Sequence, residues 1–340
     1  MIRIGMVGVG FIGMIHFLAY RKVQGAKVVA LCERDKKRLS GDWTGLQGNF
    51  GPPGEKMDLS DVKPYEELDR LLADPDVDLI DICTPTHLHA PMVLAALKAG
   101  KNVLVEKPIA LKVEDADAMV AAARASGTLF MVAQVLPFFP EFAFAADAVR
   151  SGRYGKLLGG HLTRVISKPD WSADIADASK TGGPAVDLHI HDTHFLAVLA
   201  GMPKQVFANG ILAADGSVDY LTTNYLYGPG GPALSCSSGI AATRGRPFTH
   251  GFELYLEKAT LAHNASLPLT VYGADGTTQV PELGSGDPID SFARELQAAV
   301  ESVRTGKPHD NLRGDVARDA LALSYRECES VRTGQVVSVR

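Results

Sequence analysis

The sequence predicts an α/β protein with two parts: an N-terminal doubly wound parallel sheet, and a C-terminal α+β domain with a large, mainly antiparallel open sheet. The 340 residues are enough for about two domains at roughly 150 residues each. Strand and helix patterns alternate in the first third, which is typical of a parallel sheet covered on both faces. Strand patterns then follow one another with few helices between them. We expect domains at residues 1–125 and 126–340.

Local patterns justify each element of the first domain. Short apolar runs predict buried strands at Ile2–Val7, Ala26–Cys32, Leu79–Cys83, Asn102–Glu106 and Leu129–Val135. Helical patterns, two of which stop at Gly100 and Gly127, predict helices at Phe11–Arg21, Val62–Leu72, Ala90–Ala99 and Val113–Ser126. The Gly- and Pro-rich stretch Gly41–Gly54 is expected to be a surface loop.

The second domain is predicted from a series of strands with turns such as Gly228–Gly231 between them. We expect these strands at Leu157–Ser167, Gln205–Ala213, Tyr220–Tyr227, Leu234–Ile240 and Phe252–Leu256. Helices are predicted at Ala185–Ala200, Ile289–Arg304 and Gly314–Arg332. Because so few helices cover the sheet, one face should need a partner, which predicts a homodimer or homotetramer.

Composition excludes several classes of protein. A hydrophobic fraction of 46% and a charged fraction of 21% are ordinary for a globular chain. The net charge of −5 argues against a nucleic-acid or membrane partner. The cysteines form no C-x-x-C pair, so we expect neither a zinc site nor a disulfide framework but a reducing cytoplasm. We also expect no signal peptide and no transmembrane helix.

The first chemical motif is Gly8-Val9-Gly10-Phe11-Ile12-Gly13, which follows a predicted strand and opens a predicted helix. In this context the glycines permit a tight turn, close approach of a pyrophosphate and close helix–strand packing. Glu33, 20 residues beyond Gly13, should accept the ribose hydroxyls and favour NAD over NADP. Arg34 is adjacent and leaves NADP possible. The alternative is a glycine turn that binds nothing.

The second motif, Glu106-Lys107-Pro108, lies at the predicted carboxyl end of a strand, where open α/β sheets bind their ligands. Lys107 is therefore placed to donate a hydrogen bond to a substrate oxygen. The alternative is a solvated surface lysine, against which Pro108 argues by fixing the chain after the strand.

The third motif runs from Gly182 to His194 and contains Asp187, His191 and His194 at positions i, i+4 and i+7 of a predicted helix. A histidine is the usual candidate for proton transfer near neutral pH, and Asp187 is placed to orient it. One alternative is a solvated helix face. Another is a metal site of one carboxylate and two imidazoles, but no further ligand cluster is visible, so we expect no metal.

With Thr84-Pro85-Thr86-His87-Leu88-His89 and Ala99–Pro108, these motifs stand in a characteristic order and spacing. The sequence in this respect resembles the glucose–fructose oxidoreductase, inositol dehydrogenase and rhizopine-catabolism family, written Gfo/Idh/MocA, over nearly the whole chain. The resemblance implies an N-terminal NAD-binding Rossmann domain and a C-terminal domain for substrate binding and oligomerisation. It also implies NAD(P)-dependent oxidation of a secondary hydroxyl, or reduction of the ketone, on a sugar or cyclitol.

The resemblance carries roles over to particular positions. His191 is the general base, Lys107 stabilises the developing alkoxide, and Asp187 orients His191 or the substrate. The cofactor residues it implies are Gly8, Gly10, Phe11, Ile12, Gly13, Glu33, Arg34, Thr84, Pro85, Thr86, His89, Glu106, Lys107 and Gln134. The substrate residues are Lys107, Arg164, Trp171, Asp187, His191 and His194.

Two positions depart from the family pattern. His194 stands where many members have Asp, and Pro137 stands where an arginine is common, so an unusual substrate is expected. The interpretation we adopt is an NAD-dependent sugar or polyol dehydrogenase. One alternative is an enzyme of the same fold that uses NAD transiently for sugar hydrolysis or elimination. Another is a non-catalytic sensor of NAD or a sugar, against which the presence of Lys107, Asp187 and His191 together argues.

Overall fold

The computed structural model describes residues 1–168 and 178–339, and the chain forms two compact units. The first consists of Met1–Phe138 and Ser285–Arg318, and the second of Phe139–Gly284 and Asp319–Arg340. This division differs from the predicted one at 125/126, because the last parallel strand and a later helix belong to the first unit. Trp171, expected to contact substrate, lies outside the described residues.

A six-stranded parallel sheet forms the centre of the first unit. Its strands are β1 (Ile2–Val7), β2 (Ala26–Cys32), β3 (Lys63–Tyr65), β4 (Leu79–Ile82), β5 (Asn102–Glu106) and β6 (Phe130–Ala133). They lie in the order β3-β2-β1-β4-β5-β6, so the chain changes direction across the sheet between β1 and β4. Every residue of β4 and β6 is buried, as expected for strands covered on both faces. The predicted doubly wound parallel sheet is confirmed.

Both units contain α-helices. In chain order they are α1 (Phe11–Tyr20), α2 (Lys36–Leu39), α3 (Leu68–Leu72), α4 (His89–Lys98), α5 (Val113–Ser126), α6 (Pro140–Ser151), α7 (Ala178–Thr181), α8 (Pro184–Asp187), α9 (Ile190–Ala200), α10 (Pro288–Thr305) and α11 (Gly314–Thr333). Short 3₁₀ helices occur at Thr86–Leu88, Leu136–Phe138 and Asp310–Leu312. Among the described residues, no helix is both long enough and apolar enough to cross a bilayer.

The predicted helix Val62–Leu72 is wrong in its first half. The chain forms the edge strand β3 there and becomes helical only in α3. Pro64 explains the difference, because a proline disfavours the helical conformation of the residue before it. A proline also lacks the N–H of a central strand, but an edge strand tolerates this loss.

A nine-stranded sheet forms the second unit's framework. Its strands are β7 (Leu157–Ser167), β8 (Gln205–Leu212), β9 (Val218–Leu226), β10 (Ala233–Ala242), β11 (Thr249–Leu256), β12 (Ala259–Asn264), β13 (Leu267–Gly273), β14 (Thr278–Gln279) and β15 (Val337–Ser338). Their order is β14-β13-β12-β11-β7-β10-β9-β8-β15. Only β7 and β10 pair in parallel, and the other described neighbours are antiparallel. The predicted, mainly antiparallel sheet is confirmed.

The two faces of this sheet differ in burial. On the inner face, Leu162 and Arg164 of β7 are buried, whereas His161, which alternation along the strand places on the opposite face, is exposed. We call the face that carries His161 the outer face. Tyr255 and Tyr272 lie on it, on either side of Thr260, and are 45% and 48% exposed. The outer face therefore presents large aromatic side chains to solvent.

The predicted helix Ala185–Ala200 is two helices, α8 and α9, with Leu188 and His189 between them. The His189 N–H donates to the Pro184 carbonyl oxygen over 3.1 Å, a five-residue spacing typical of a π-type turn. The extra residue in that turn breaks the regular spacing of an α-helix. The i, i+4, i+7 alignment expected for Asp187, His191 and His194 therefore does not hold across this break.

Candidate functional site

The glycine-rich turn after β1 has the shape predicted from its sequence. Gly8 has a φ of 91°, and a Cβ there would lie 2.9 Å from the Cys83 carbonyl oxygen. A Cβ on Gly13 would collide with the Gly8 carbonyl oxygen. By contrast, no atom lies within 4 Å of the position that a Cβ on Gly10 would take. Gly8 and Gly13 are thus required by packing, and Gly10 borders open space.

That open space adjoins the N-terminus of α1. The helix begins at Phe11, and its N-cap residue Gly10 supplies no side-chain hydrogen bond. Phe11 and Ile12 of the first turn are half-buried. The backbone N–H groups of this turn and the helix dipole favour an anion. The arrangement fits the pyrophosphate of a dinucleotide.

Glu33 follows the end of β2 and contacts this turn directly. Its Oε2 accepts a hydrogen bond from the Val9 N–H over 2.7 Å, and its Oε1 accepts from Arg34 N–H and Asp35 N–H. Arg38, which the sequence analysis missed, donates from Nη1 to the Val9 carbonyl oxygen over 3.1 Å. The carboxylate expected to bind ribose is therefore held beside the glycine turn, and Arg34 is exposed.

The segment after β4 contains the predicted residues Thr84, Pro85 and Thr86. His89 fixes this segment, because its Nε2 contacts the Thr84 carbonyl oxygen and its Nδ1 the Pro108 carbonyl oxygen, each over 2.9 Å. Burial lowers the pKa of His89, although these two carbonyls oppose the effect. His89 thus joins the loops that follow β4 and β5.

Lys107 lies directly after β5 and is half-buried. Its backbone N–H donates to Oε2 of the preceding residue, Glu106, over 2.9 Å. The Pro108 ring behind it is buried. These features argue against the alternative that Lys107 is a fully solvated surface lysine.

Gln134 follows β6 and has 1% of its surface exposed. Neither its amide nitrogen nor its amide oxygen has a hydrogen-bond partner among the described residues. Leaving a buried amide unpaired is costly. The register aligns the carboxyl ends of β1, β4, β5 and β6, so Gln134 lies at the sheet edge where a ligand is expected.

The second unit carries the predicted acid–base residues. Asp187 ends α8 and His191 lies in the first turn of α9, and both are half-buried. His194, one turn later, is fully buried. Its expected contact with a sugar stays a prediction.

A buried polar network holds the start of α9. Arg164 Nε donates to Asp192 Oδ2 over 2.8 Å, and His189 Nε2 lies 2.8 Å from Glu327 Oε2. Burial disfavours the charged form of His189, but the Glu327 carboxylate outweighs burial and raises the histidine's pKa. Because His189 and Asp192 flank His191, the network fixes the backbone from which His191 projects.

Polar side chains also line one row of the inner face of the second sheet. Ser238 and His250 pair with Arg164 from the two neighbouring strands. Ser238 Oγ, Arg164 Nη2 and His250 Nδ1 are buried without a hydrogen-bond partner among the described residues. Burial, with the nearby Arg164 charge, lowers the pKa of His250 to about 3. This row holds hydrogen-bonding groups that no described residue satisfies.

Sequence reasoning predicted Arg164 as a substrate contact but did not single out the residues around it. Asp192 and His189 stand within the His-x-His-Asp string, which was a usable signal. No motif in the sequence marks Glu327 or His250, because only the folded chain brings them close to the start of α9 and to β7.

Three groups of side chains within the described ranges have ligand atoms close enough to hold a metal. They are His16/Asp81/Cys83, His16/Glu106/Glu295 and His189/Asp192/Cys236. None of them contains the Asp187, His191 and His194 set that the sequence left open as a metal site. Their closest contacts have the length of hydrogen bonds, such as 2.9 Å between His16 and Asp81.

Comparison with protein families matches both parts of the chain. Residues 2–134 match an oxidoreductase family described as an NAD-binding Rossmann fold, GFO/IDH/MocA. Residues 142–262 match the GFO/IDH/MocA C-terminal domain.

Individual proteins are similar over nearly the full length. A myo-inositol 2-dehydrogenase of Thermotoga maritima is 24% identical, over 99% of this chain and 98% of its own. A 1,5-anhydro-D-fructose reductase of Ensifer adhaerens is 25% identical, over 99% and 98%. A solved structure of levoglucosan dehydrogenase with NADH and levoglucosan has a TM-score of 0.83 at 21% identity, covering 99% of both chains.

The glycine turn, the Glu106-Lys107-Pro108 strand end and the two matched domains lead to the same assignment. The chain belongs to the GFO/IDH/MocA family of oxidoreductases, with an N-terminal NAD-binding Rossmann fold.

Proposed function

We propose that this protein is an NAD-dependent dehydrogenase acting between a secondary hydroxyl and the corresponding ketone of a sugar or cyclitol. The observation that carries the proposal is the open side of Gly10 at the uncapped N-terminus of α1, with Glu33 held beside it. The names of the relatives support the substrate class, because inositol and 1,5-anhydro-D-fructose are both polyhydroxylated rings.

The first unit's role is to bind and orient the cofactor. The first turn of α1 and the glycine turn hold the pyrophosphate, and Glu33 accepts the ribose hydroxyls. The buried amide of Gln134 and the segment from Thr84 to Thr86 contribute polar contacts at the same edge of the sheet. NAD, when bound, supplies the hydride acceptor or donor. A carboxylate at Glu33 repels a 2′-phosphate, so NAD is preferred and NADP is the weaker ligand.

Side chains of the protein transfer the proton and stabilise the charge that develops. His191 takes the proton from the substrate hydroxyl, since imidazole titrates near neutral pH. Asp187 orients His191 or the substrate. Lys107 places a positive charge at the oxygen where negative charge develops. Arg164, Trp171 and His194 are proposed to contact the rest of the substrate.

The assembly and location are part of the proposal. The aromatic outer face of the second sheet supports a homodimer or homotetramer joined through that face. All four cysteines are described, buried and without disulfides, which supports a reducing, cytoplasmic setting.

The test is to incubate purified protein and NAD with a panel of sugars and cyclitols while following NADH absorbance. The proposal expects NADH to accumulate with at least one polyol. If a polyol is consumed and its product is released while no NADH accumulates, transient redox chemistry for hydrolysis or elimination is the function instead. Binding of NAD with no substrate consumed across the panel would favour a sensor.

A further inference from the structure

Four buried ionisable side chains meet inside the first unit. His16 lies on α1, Asp81 on β4, Glu106 at the end of β5 and Glu295 on α10. Three of them are fully buried and Glu106 is 7% exposed. The roles proposed for the cofactor and the substrate do not explain this concentration of charge in a sheet core, where unpaired charges are strongly disfavoured.

His16 joins two of the carboxylates. Its Nδ1 lies 2.9 Å from Asp81 Oδ2, and its Nε2 lies 3.0 Å from Glu106 Oε1. An imidazole with a carboxylate at each nitrogen donates to both when it is charged. Burial opposes that charge, but the Asp81 carboxylate beside Nδ1 outweighs burial and raises the pKa of His16 well above its usual value.

Burial disfavours the charged forms of three other groups around His16. Glu295 has no hydrogen-bond partner for either carboxyl oxygen among the described residues, and burial beside Glu106 raises its pKa well above normal. Burial raises the pKa of the Cys83 thiol to about 12 and raises that of Tyr20 well above normal. His16 is therefore the basic group among these buried side chains, and it lies between Asp81 and Glu106.

Glu106 connects this core to the surface. One of its carboxyl oxygens faces His16, and the other accepts the backbone N–H of Lys107. A rotation of the Glu106 side chain would break both contacts. The direction in which Lys107 leaves the backbone thus depends on where His16 holds Glu106.

We propose that His16 is a positioning residue for Lys107, acting through Glu106, with Asp81 fixing the imidazole from the opposite side. The inference rests on the proposed role of Lys107 at the substrate oxygen. His16 touches neither substrate nor cofactor in this scheme, and its effect is to set the direction of the lysine. A displacement of a catalytic group by about 1 Å costs up to about 10²-fold in rate.

Two substitutions separate the two contacts of His16. The amide nitrogen of Asn stands two bonds from Cβ, like Nδ1, so His16→Asn keeps a donor for Asp81 only. The amide nitrogen of Gln stands three bonds from Cβ, like Nε2, so His16→Gln keeps a donor for Glu106 only. Tyr20→Phe is the matched control, since it alters the same buried region one turn along α1.

The expected result is a loss in kcat of about 10- to 100-fold for His16→Asn, a smaller loss for His16→Gln, and none for Tyr20→Phe. The Kd for NAD and the substrate KM should change little in all three. A purely structural role would give equal losses of kcat in His16→Asn and His16→Gln, in proportion to the decrease in the free energy of unfolding of each variant. A His16→Asn variant as active as Tyr20→Phe would also overturn the proposal.

A second readout does not depend on the substrate. Reductive methylation with ¹³C-formaldehyde labels lysines, and Lys107→Arg assigns the Lys107 resonance. His16→Asn should shift that resonance and Tyr20→Phe should not. If the unmutated protein oxidises no polyol, the proposed function fails and this resonance alone decides the positioning role. If His16→Asn does not fold, Glu106→Asp is measured instead, because its shorter side chain cannot reach both His16 and the Lys107 N–H. An unchanged Lys107 resonance in Glu106→Asp would refute the proposal.

Discussion

At the scale of single residues, Lys107 and His191 carry the proposed chemistry. Both are half-buried, as expected of side chains that meet a ligand. We expect His191→Ala and Lys107→Ala each to lower kcat by about 10²-fold or more, because proton transfer or alkoxide stabilisation is lost. The Kd for NAD, measured by calorimetry, should change little.

The matched controls for these two variants are exposed residues of the same type. His161→Ala and Lys98→Ala should keep the kcat of the unmutated protein. A His191→Ala variant that keeps most of its kcat on the best substrate would contradict the assigned base.

Glu33 determines cofactor preference in the same proposal. NAD should bind more tightly than NADP. Glu33→Ser should reduce the difference between the two dissociation constants, because it removes the charge that repels a 2′-phosphate. Titration calorimetry with both cofactors measures this. Tighter binding of NADP by the unmutated protein would refute the preference.

His250 should make folding stability depend on pH. Its pKa is lowered to about 3 by burial, whereas an unfolded histidine titrates near 6.5. The unfolded chain therefore binds the proton first, so this contribution is complete above about pH 6.5 and is lost as pH falls toward 3. At pH 5 the loss should be about 1–2 kcal/mol relative to pH 7.5.

Urea unfolding at pH 5 and 7.5 measures that loss. His250→Gln should show a smaller difference between the two pH values than the unmutated protein. His87→Gln, which changes an exposed histidine, should show the same difference as the unmutated protein. Identical pH dependence in all three proteins would contradict a neutral, half-buried His250.

At the scale of elements, local signals predicted the strand, glycine turn and helix at the start of the chain. Each part depends on its own residues: an apolar run, three glycines and a helical pattern. Predictions failed where contacts between elements determine the local structure. Strand β3 exists because it pairs with β2. The break between α8 and α9 was not predicted either.

The candidate site divides in the same way. Motif residues such as Lys107 and His191 could be proposed from the sequence because their signals are local. His16 was missed because its partner Glu106 is 90 residues away, and the pairing of His189 with Glu327 was missed because the two are 138 residues apart. Pairs at such distances exist only once the fold is known.

The glycine turn and α1 make a prediction as a unit. Gly10 has ordinary backbone angles, with φ −89°, and open space at its Cβ position. Gly10→Ala should therefore leave Tm unchanged while the methyl group obstructs the pyrophosphate. Losing charge-assisted hydrogen bonds worth about 1.5–3 kcal/mol should raise the Kd for NAD by about 10- to 100-fold.

Two other glycines are the controls. Gly45→Ala also meets open space, but far along the chain from the turn, and should change neither Tm nor Kd. Gly13→Ala should lower Tm, because its Cβ collides with the Gly8 carbonyl. Unchanged NAD affinity in Gly10→Ala would place the pyrophosphate elsewhere.

At the scale of the whole molecule, the outer face of the second sheet predicts self-association. Tyr255 and Tyr272 are about half exposed and lie one strand apart across Thr260. Aromatic side chains are enriched at protein interfaces, and a second copy of the same face would bury them symmetrically. Light scattering at micromolar concentration should give two or four times the chain mass of 36.2 kDa.

Tyr255→Glu with Tyr272→Glu should shift the protein toward 36.2 kDa, because it would place charges opposite each other in the interface. Ala121→Glu adds a charge to an exposed position of α5 and should leave the mass unchanged. A 36.2 kDa species for the unmutated protein would show that the outer face functions without a second copy.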